Sequence, residues 1–464
     1  MVQATNGQTP VFRTFQRRNM QDIPGYDTLT EHQRLVIDVV SRVLPFKTNN
    51  YVCEQLIDWS NIPDDPIYQL TFPQEGMIDP EHFATIADMV RAEVPAKQID
   101  EAARNIQRSL NPHPSGQVQM NVPHVDGEPM PGMQHKYDET VLFFPAQGQT
   151  CHAYCTYCFR WPQFVQLDDL KFATKEGGNL VRYLRAHPEA TDVLFTGGDP
   201  MIMRTAVLRR YIEPLLEPEF ERLTIRIGTK AGAYWPHRFV DDKDADDTLK
   251  LFDDITAAGR HLAIMGHYSH PVELATEASE KAVRNILNTG AVIRCQAPLI
   301  RHVNDDPGVW ADMIRRQVKL GCVPYYMFVE RDTGAKRYFE LPLERALEVY
   351  NGAFRDVSGL GRTMRGPSMS ATPGKVQLLD IMHVNGEKVF ALRLLQGRNA
   401  EWTNRLFFAA YDPAAVWWDD LKPAPFDDGF FFDTELHEMQ LSAVTGATRS
   451  PVSLTTAPKA PANV

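Results

Sequence analysis

The sequence predicts an α/β fold built on six β-α repeats, with a helical region before them and an extension after them. Three observations predict it. Short apolar runs alternate with amphipathic segments between about residues 140 and 330. Helical apolar spacing without such runs fills much of 29–110. Beyond residue 376 the alternation stops and an aromatic, acidic stretch takes over.

Residues 1–28 read as a polar, flexible N-terminus. TLTEHQRLVIDVVSRVL (29–45) opens on a threonine cap signal and continues with helical periodicity. The same spacing predicts helices at about 80–93 and 95–110. Residues 111–135, rich in Pro, Gly and His, read as a long connection that closes this helical region and linker, 29–135.

The six apolar runs are TVLFFPA (140–146), DVLFTGG (192–198), LTIRIGT (223–229), HLAIMGHY (261–268), AVIRCQAPL (291–299) and VPYYMFVE (323–330). Helix-like segments such as VELATEASEKAVRNILNTG (272–290) separate them. Such alternation implies a parallel sheet with strands buried on both faces. A curved sheet of this kind carries its reactive groups at the carboxyl ends of its strands. An open doubly wound sheet is the competing architecture. Residues 376–397 suggest a hairpin turning at Asn385-Gly386. With the irregular aromatic segment 406–436 they make an extension over 376–444, and the tail 445–464 reads as disordered.

The chain has 464 residues, a formal charge of −11 and 43% hydrophobic residues, ample for a large core. Its acidic balance argues against nucleic acid or an anionic membrane as the main partner. No apolar run reaches the length of a membrane span, and the start lacks a signal-peptide core. Six scattered cysteines do not make a secreted disulfide framework, so a reducing cytoplasm is the expected setting.

Three of the six cysteines lie within CHAYCTYC, as Cys151, Cys155 and Cys158. They follow the first run and so occupy a loop at that strand's carboxyl end. Three thiolates can hold three irons of a [4Fe–4S] cube, leaving the fourth iron open to a small molecule. A zinc site completed by His152, or three packing cysteines, are the alternatives.

C-x3-C-x2-C with Tyr157 before the last cysteine resembles the signature of radical S-adenosylmethionine (SAM) enzymes. The resemblance implies a partial (β/α)6 barrel over 136–375, SAM chelated on the open iron, and a 5′-deoxyadenosyl radical that abstracts hydrogen from substrate. TGGDP (196–200) matches a Gly-Gly-Glu-like motif, so Gly197, Gly198 and Asp199 are expected near the SAM amino group. Further stretches, in order, resemble the lysine 2,3-aminomutase family: PGMQHKYDETVLFF, FTGGDP, IRIGTK, HYSHPVEL, QAPLIRHVND and PYYMF, within about residues 50–375.

That family adds pyridoxal phosphate (PLP), which stabilises a radical while nitrogen migrates between neighbouring carbons. The resemblance implies that Lys375 carries PLP, that Arg160 grips the substrate carboxylate, and that His267 and Gln296 lie near SAM. Lys136 and Tyr137 stand where the family binds the cofactor phosphate, with Thr140 replacing an arginine. Arg238 matches another cofactor-region arginine. Lysine-specific members hold the distal ammonium with two aspartates. Arg331, with Asp332 adjacent, and Ala371 occupy those places here. An arginine facing an ammonium is repulsive, which points away from free lysine toward an acidic amino acid. Shifted by one residue, Asp332 would take the original role. No cysteine follows Cys322, so the family's C-terminal zinc group is absent. The expected partners are a small amino acid, an electron donor such as flavodoxin or ferredoxin, and a second copy of the chain. Two other readings stay open: a radical SAM enzyme without PLP acting on a protein, peptide or metabolite, and a non-catalytic metal-binding protein.

Overall fold

The computed structural model describes residues 10–110, 120–165 and 172–445. The tail expected to be disordered falls almost wholly outside them. No helix among the described residues is long and apolar enough to cross a membrane.

Eleven strands form one sheet whose spatial order is the chain order. They are β1 (Met133–Tyr137), β2 (Thr140–Phe143), β3 (Asp192–Phe195), β4 (Thr224–Thr229), β5 (Leu262–His267) and β6 (Val292–Leu299), then β7 (Val323–Val329), β8 (Arg365–Ser370), β9 (Gly374–Val384), β10 (Glu387–Gly397) and β11 (Leu406–Ala410). Neighbours from β2 to β8 are parallel, and the pairs outside them are antiparallel. The six predicted runs are β2 to β7. A doubly wound sheet reverses its strand order about the first strand. No reversal occurs here, so the partial barrel stands and the open alternative falls.

The strands depart from the expected burial on both faces. In β4, Ile225, Ile227 and Thr229 are buried, whereas Thr224, Arg226 and Gly228 are partly open. Arg226 and Gly228 belong to the inner face, which lines a cavity instead of an apolar core. That is why β4 alternates as half-buried strands do.

The N-terminal region departs from its expected disorder. Thr14–Phe15 pairs antiparallel with Thr48–Asn49, and Phe15 and Ile23 are buried. Apolar side chains at these two positions hold residues 10–28 against the body. The capped helix forms at Glu31–Val43. Thr30 Oγ1 accepts from Gln33 N–H at 3.2 Å, and Gln33 Oε1 accepts from Thr30 N–H at 2.8 Å. The next two helices are Pro80–Arg91 and Ala96–Ser109. The expected connection over 111–135 contains the start of β1, which pairs with β2.

The expected boundary between barrel and extension at 375–376 falls inside β9, so the extension continues the barrel sheet. Asn385 and Gly386 take φ of 53° and 87°, the left-handed pair of a two-residue hairpin. The segment 406–436 gives up Phe407, Trp417, Trp418 and Phe432 to a second apolar core against β9 and β10. Four of its nine aromatic side chains are buried and the other five half-buried.

Candidate active site

The inner face lines two adjoining chambers, one at the carboxyl ends of the strands and one running through the interior to their amino ends, where Thr140, Asp192 and Thr224 line it. The upper one, of about 340 Å³, is lined by Cys151, Cys155, Cys158, Tyr157, Gly197, Gly198, Asp199, His267 and Gln296. The deeper one, of about 800 Å³, is lined by Lys136, Tyr137, Arg226, Arg294 and Arg365. Arg160, Arg226, Arg331, Ser370 and Lys375 line both. Sequence positions spread over more than 200 residues thus meet in one space.

The cysteine loop is clamped by the N-terminal region. Lys47 Nζ donates to the Cys151 carbonyl at 2.7 Å, Asn49 Nδ2 to the His152 carbonyl at 3.2 Å, and Thr156 N–H to the Leu70 carbonyl at 3.0 Å. Burial pushes all three thiols up, Cys158 to about 12. Lys230 pulls the other way on Cys155. Buried thiols of this kind become thiolates only beside a cation, which iron supplies. His152 packs edge-on against Phe12 at 5.6 Å. Among the described residues, no three His, Cys, Asp or Glu side chains converge as a single metal ion demands. A [4Fe–4S] cube takes its thiolates at separate corners, so it asks for no such convergence.

The glycines and Asp199 act differently from expectation. A Cβ on Gly198 would lie 2.6 Å from the Thr150 carbonyl oxygen, and one on Gly197 2.3 Å from Gln149 Nε2. The close approach they permit is to the start of the cysteine loop. Asp199 accepts from Met201 N–H at 2.9 Å, from Thr229 Oγ1 at 2.7 and 2.9 Å, and from Lys230 N–H at 2.9 Å. Burial raises its carboxyl to about 6 despite these donors. Both oxygens are engaged in tying β3 to β4, which corrects the expected role of Asp199 as an open acceptor.

His267 and Gln296 are register partners on β5 and β6. Burial lowers His267 to about 3, so its ring is neutral. Tyr157 Oη lies 3.4 Å from His267 Nδ1. Behind them Lys230 Nζ pairs with the fully buried Glu273 at 2.7 Å. Sequence reasoning missed Lys230, although the lysine stood in IRIGTK.

Arg160 lies over the Phe144 ring at 4.4 Å and donates to Gln149 Oε1 at 3.3 Å. Its buried Nε has no partner, and burial lowers it to about 10. The guanidinium thus keeps an unsatisfied donor beside a cavity it lines, as a planar anion requires. Arg331 sits over the Phe159 and Trp417 rings at 5.1 and 5.9 Å. Asp332 lines neither chamber. The shifted register that would have put Asp332 on the substrate is therefore not adopted. Glu330 and Arg331 both line the upper chamber, and Arg331 alone of the three reaches the deeper one.

Lys375 Nζ lies over the Tyr326 ring at 4.1 Å and the Phe328 ring at 5.5 Å. Burial, with Arg226 and Arg365 nearby, lowers it to about 7. Half-neutral amines of this kind add to carbonyls at neutral pH. A single glycine suffices before it. A Cβ on Gly374 would meet the Gln396 carbonyl oxygen at 2.1 Å, so β9 and β10 touch there. The cofactor-phosphate residues fare less well. Lys136 donates to the Ala371 carbonyl, with Tyr137 beside it, and Thr140 donates to Asp192 at 2.9 Å. Arg238 corrects the expectation outright. It lines neither chamber and is buried, donating to the Met201 and Met203 carbonyls and to Asp244 at 2.9, 3.1 and 2.8 Å. It braces the segment after β3.

No family model matches the chain. A protein of Aquifex aeolicus with the provisional name L-lysine 2,3-aminomutase is 30% identical over 400 residues, 86% of this chain and 93% of that one. The L-lysine 2,3-aminomutase of Acetoanaerobium sticklandii is 28% identical over 253 residues, 54% of this chain and 58% of the other. The glutamate 2,3-aminomutase of Clostridioides difficile is 26% identical over 200 residues, 43% of this chain and 44% of the other. A parallel barrel with three cysteines at its mouth and a half-neutral lysine inside is the frame of a radical SAM enzyme that handles amines. The chain belongs to the L-lysine 2,3-aminomutase family. Membership makes it an enzyme of the aminomutase type and implies a [4Fe–4S] cluster, SAM and PLP.

Proposed function

We propose that this chain is a radical SAM 2,3-aminomutase that holds PLP on Lys375 and acts on an amino acid with an anionic side chain. Bound together, the three cofactors supply the radical and the electron sink that amine migration needs. The protein's residues do the rest. Cys151, Cys155 and Cys158 hold the cluster, and Lys47 and Lys230 place positive charge beside it. Tyr157, His267, Gln296 and the Gly197-Gly198 backbone line the SAM space. Arg160 grips the α-carboxylate. Lys375, held near half-neutral, offers its amine to the carbonyl of the cofactor.

One observation carries the substrate class: Arg331, not Asp332, faces the cavity. An ammonium brought to that guanidinium would meet like charge in a poorly solvated site. A carboxylate would meet a planar fork already seated on two aromatic rings. A glutamate 2,3-aminomutase stands among the relatives beside the lysine enzymes, so the shared frame is compatible with an acidic substrate. The test is product analysis on anaerobically loaded enzyme with SAM, PLP and reductant. Glutamate yielding 3-aminopentanedioate supports the proposal. Release of 5′-deoxyadenosine with no PLP dependence would support the reading without PLP instead.

A further inference from the structure

The deep chamber contains two arginines that no other part of the site uses. Arg226 is neutralised by Asp192, to which it donates through Nε at 2.8 Å and also through a terminal nitrogen. Arg294 on β6 and Arg365 on β8 have no such acid. Among the described residues neither makes an ion pair or a hydrogen bond. Both lie over the Tyr325 ring, at 5.3 and 4.5 Å, and Arg365 also over Tyr326 at 4.3 Å. Two guanidinium groups gathered on one ring, neither with an acid or hydrogen-bond acceptor of the protein, repel each other, and an anion between them relieves that repulsion.

Position selects the anion. Arg294 and Arg365 line the deep chamber alone, whereas Arg160 and Arg331 also face the cysteines. Substrate carboxylates near the cluster therefore fall to Arg160 and Arg331. Lys375 shares the Tyr326 ring with Arg365. In PLP the carbonyl and the phosphate arm sit on adjacent ring carbons, so a phosphate must lie close to the lysine that takes the carbonyl. Of the cations expected there, Lys136 donates to Ala371 and Arg238 to Asp244, and Thr140, in place of the family's arginine, donates to Asp192, which leaves Tyr137 as the expected residue facing the chamber. We infer that Arg294 and Arg365, seated on Tyr325, form the phosphate clamp for PLP in this chain. The inference rests on Lys375 as the PLP lysine.

The experiment compares capture of PLP and of pyridoxal, which lacks the phosphate, on cluster-loaded protein. Adducts at Lys375 are trapped with borohydride and quantified by peptide mass spectrometry across aldehyde concentration. Wild-type protein should prefer PLP. The Arg294→Gln, Arg365→Gln double variant should lose that preference by about tenfold or more, read as the ratio of PLP to pyridoxal capture at one pH, which cancels any change in the Lys375 amine itself. An unchanged preference in the double variant overturns the clamp while leaving Lys375 intact. If the double variant does not fold, R365Q alone decides by the same ratio. Wild-type protein that captures neither aldehyde at Lys375 overturns both the clamp and the PLP reading beneath it.

Discussion

The half-neutral state of Lys375 is open to direct measurement without any cofactor. Its amine is lowered from 10.5 to about 7, chiefly by burial and then by Arg226 and Arg365, with Asp192 opposing. At pH 7 about half of it is neutral, against roughly one part in 2,500 for an ordinary lysine near 10.4. Acetylation of PLP-free protein, read at Lys375 by peptide mass spectrometry across pH, should therefore titrate with a midpoint near 7. Arg365→Gln should raise the midpoint, because a cation that opposes protonation is gone. Asp192→Asn should lower it. The same shift has a thermodynamic sign. The unfolded chain takes up this proton below 10.5 and the folded one only below about 7. Wild-type stability thus falls as pH drops from 10.5 to 7, and the cost is complete below 7. Its ceiling is about 5 kcal/mol from 3.5 pKa units, and water in the cavity cuts it to about 2 kcal/mol. Lys375→Met should recover that amount at pH 6 and nothing at pH 11. A midpoint near 10, or no pH-dependent gain in the Met variant, would refute the reasoning.

Three further outcomes follow from the packing. Lys230→Met leaves the fully buried Glu273 without its cation and should cost about 3 kcal/mol in urea unfolding, most of it recovered by adding Glu273→Gln. Gly198→Ala forces a Cβ to 2.6 Å from the Thr150 carbonyl oxygen. It should lower iron content after reconstitution and destabilise the fold by about 1–3 kcal/mol. Trp417→Ala removes a buried ring from beneath Arg331 and should cost about 3–5 kcal/mol in thermal or urea unfolding.

The parts of this fold legible in sequence are those where one local signal dominates. Thr30 with Gln33 announces a helix start, Asn385-Gly386 a tight hairpin, and six apolar runs the parallel strands. The cysteine loop was legible because its ligand spacing is confined to eight residues. The inner face was not. Arg226 and Arg294 sit inside apolar runs, and only the barrel's curvature brings them, with Arg365 from the unpredicted strand β8, into one chamber. Arg238 misled for the converse reason, because its partner Asp244 lies six residues on and across a turn. The N-terminal residues 10–28 lacked periodicity, yet two buried side chains and a two-residue bridge order them. Asp332 and Arg331 could be separated only by seeing which of two neighbours turns inward.

The central claim is that the cavity selects an anionic side chain. The most direct measurement is the kcat/KM ratio for glutamate over lysine in anaerobic 2,3-amino migration by the fully loaded enzyme, for wild type and Arg331→Asp. A ratio far above one in wild type that collapses toward lysine in the variant is the predicted result. Wild-type preference for lysine would contradict it.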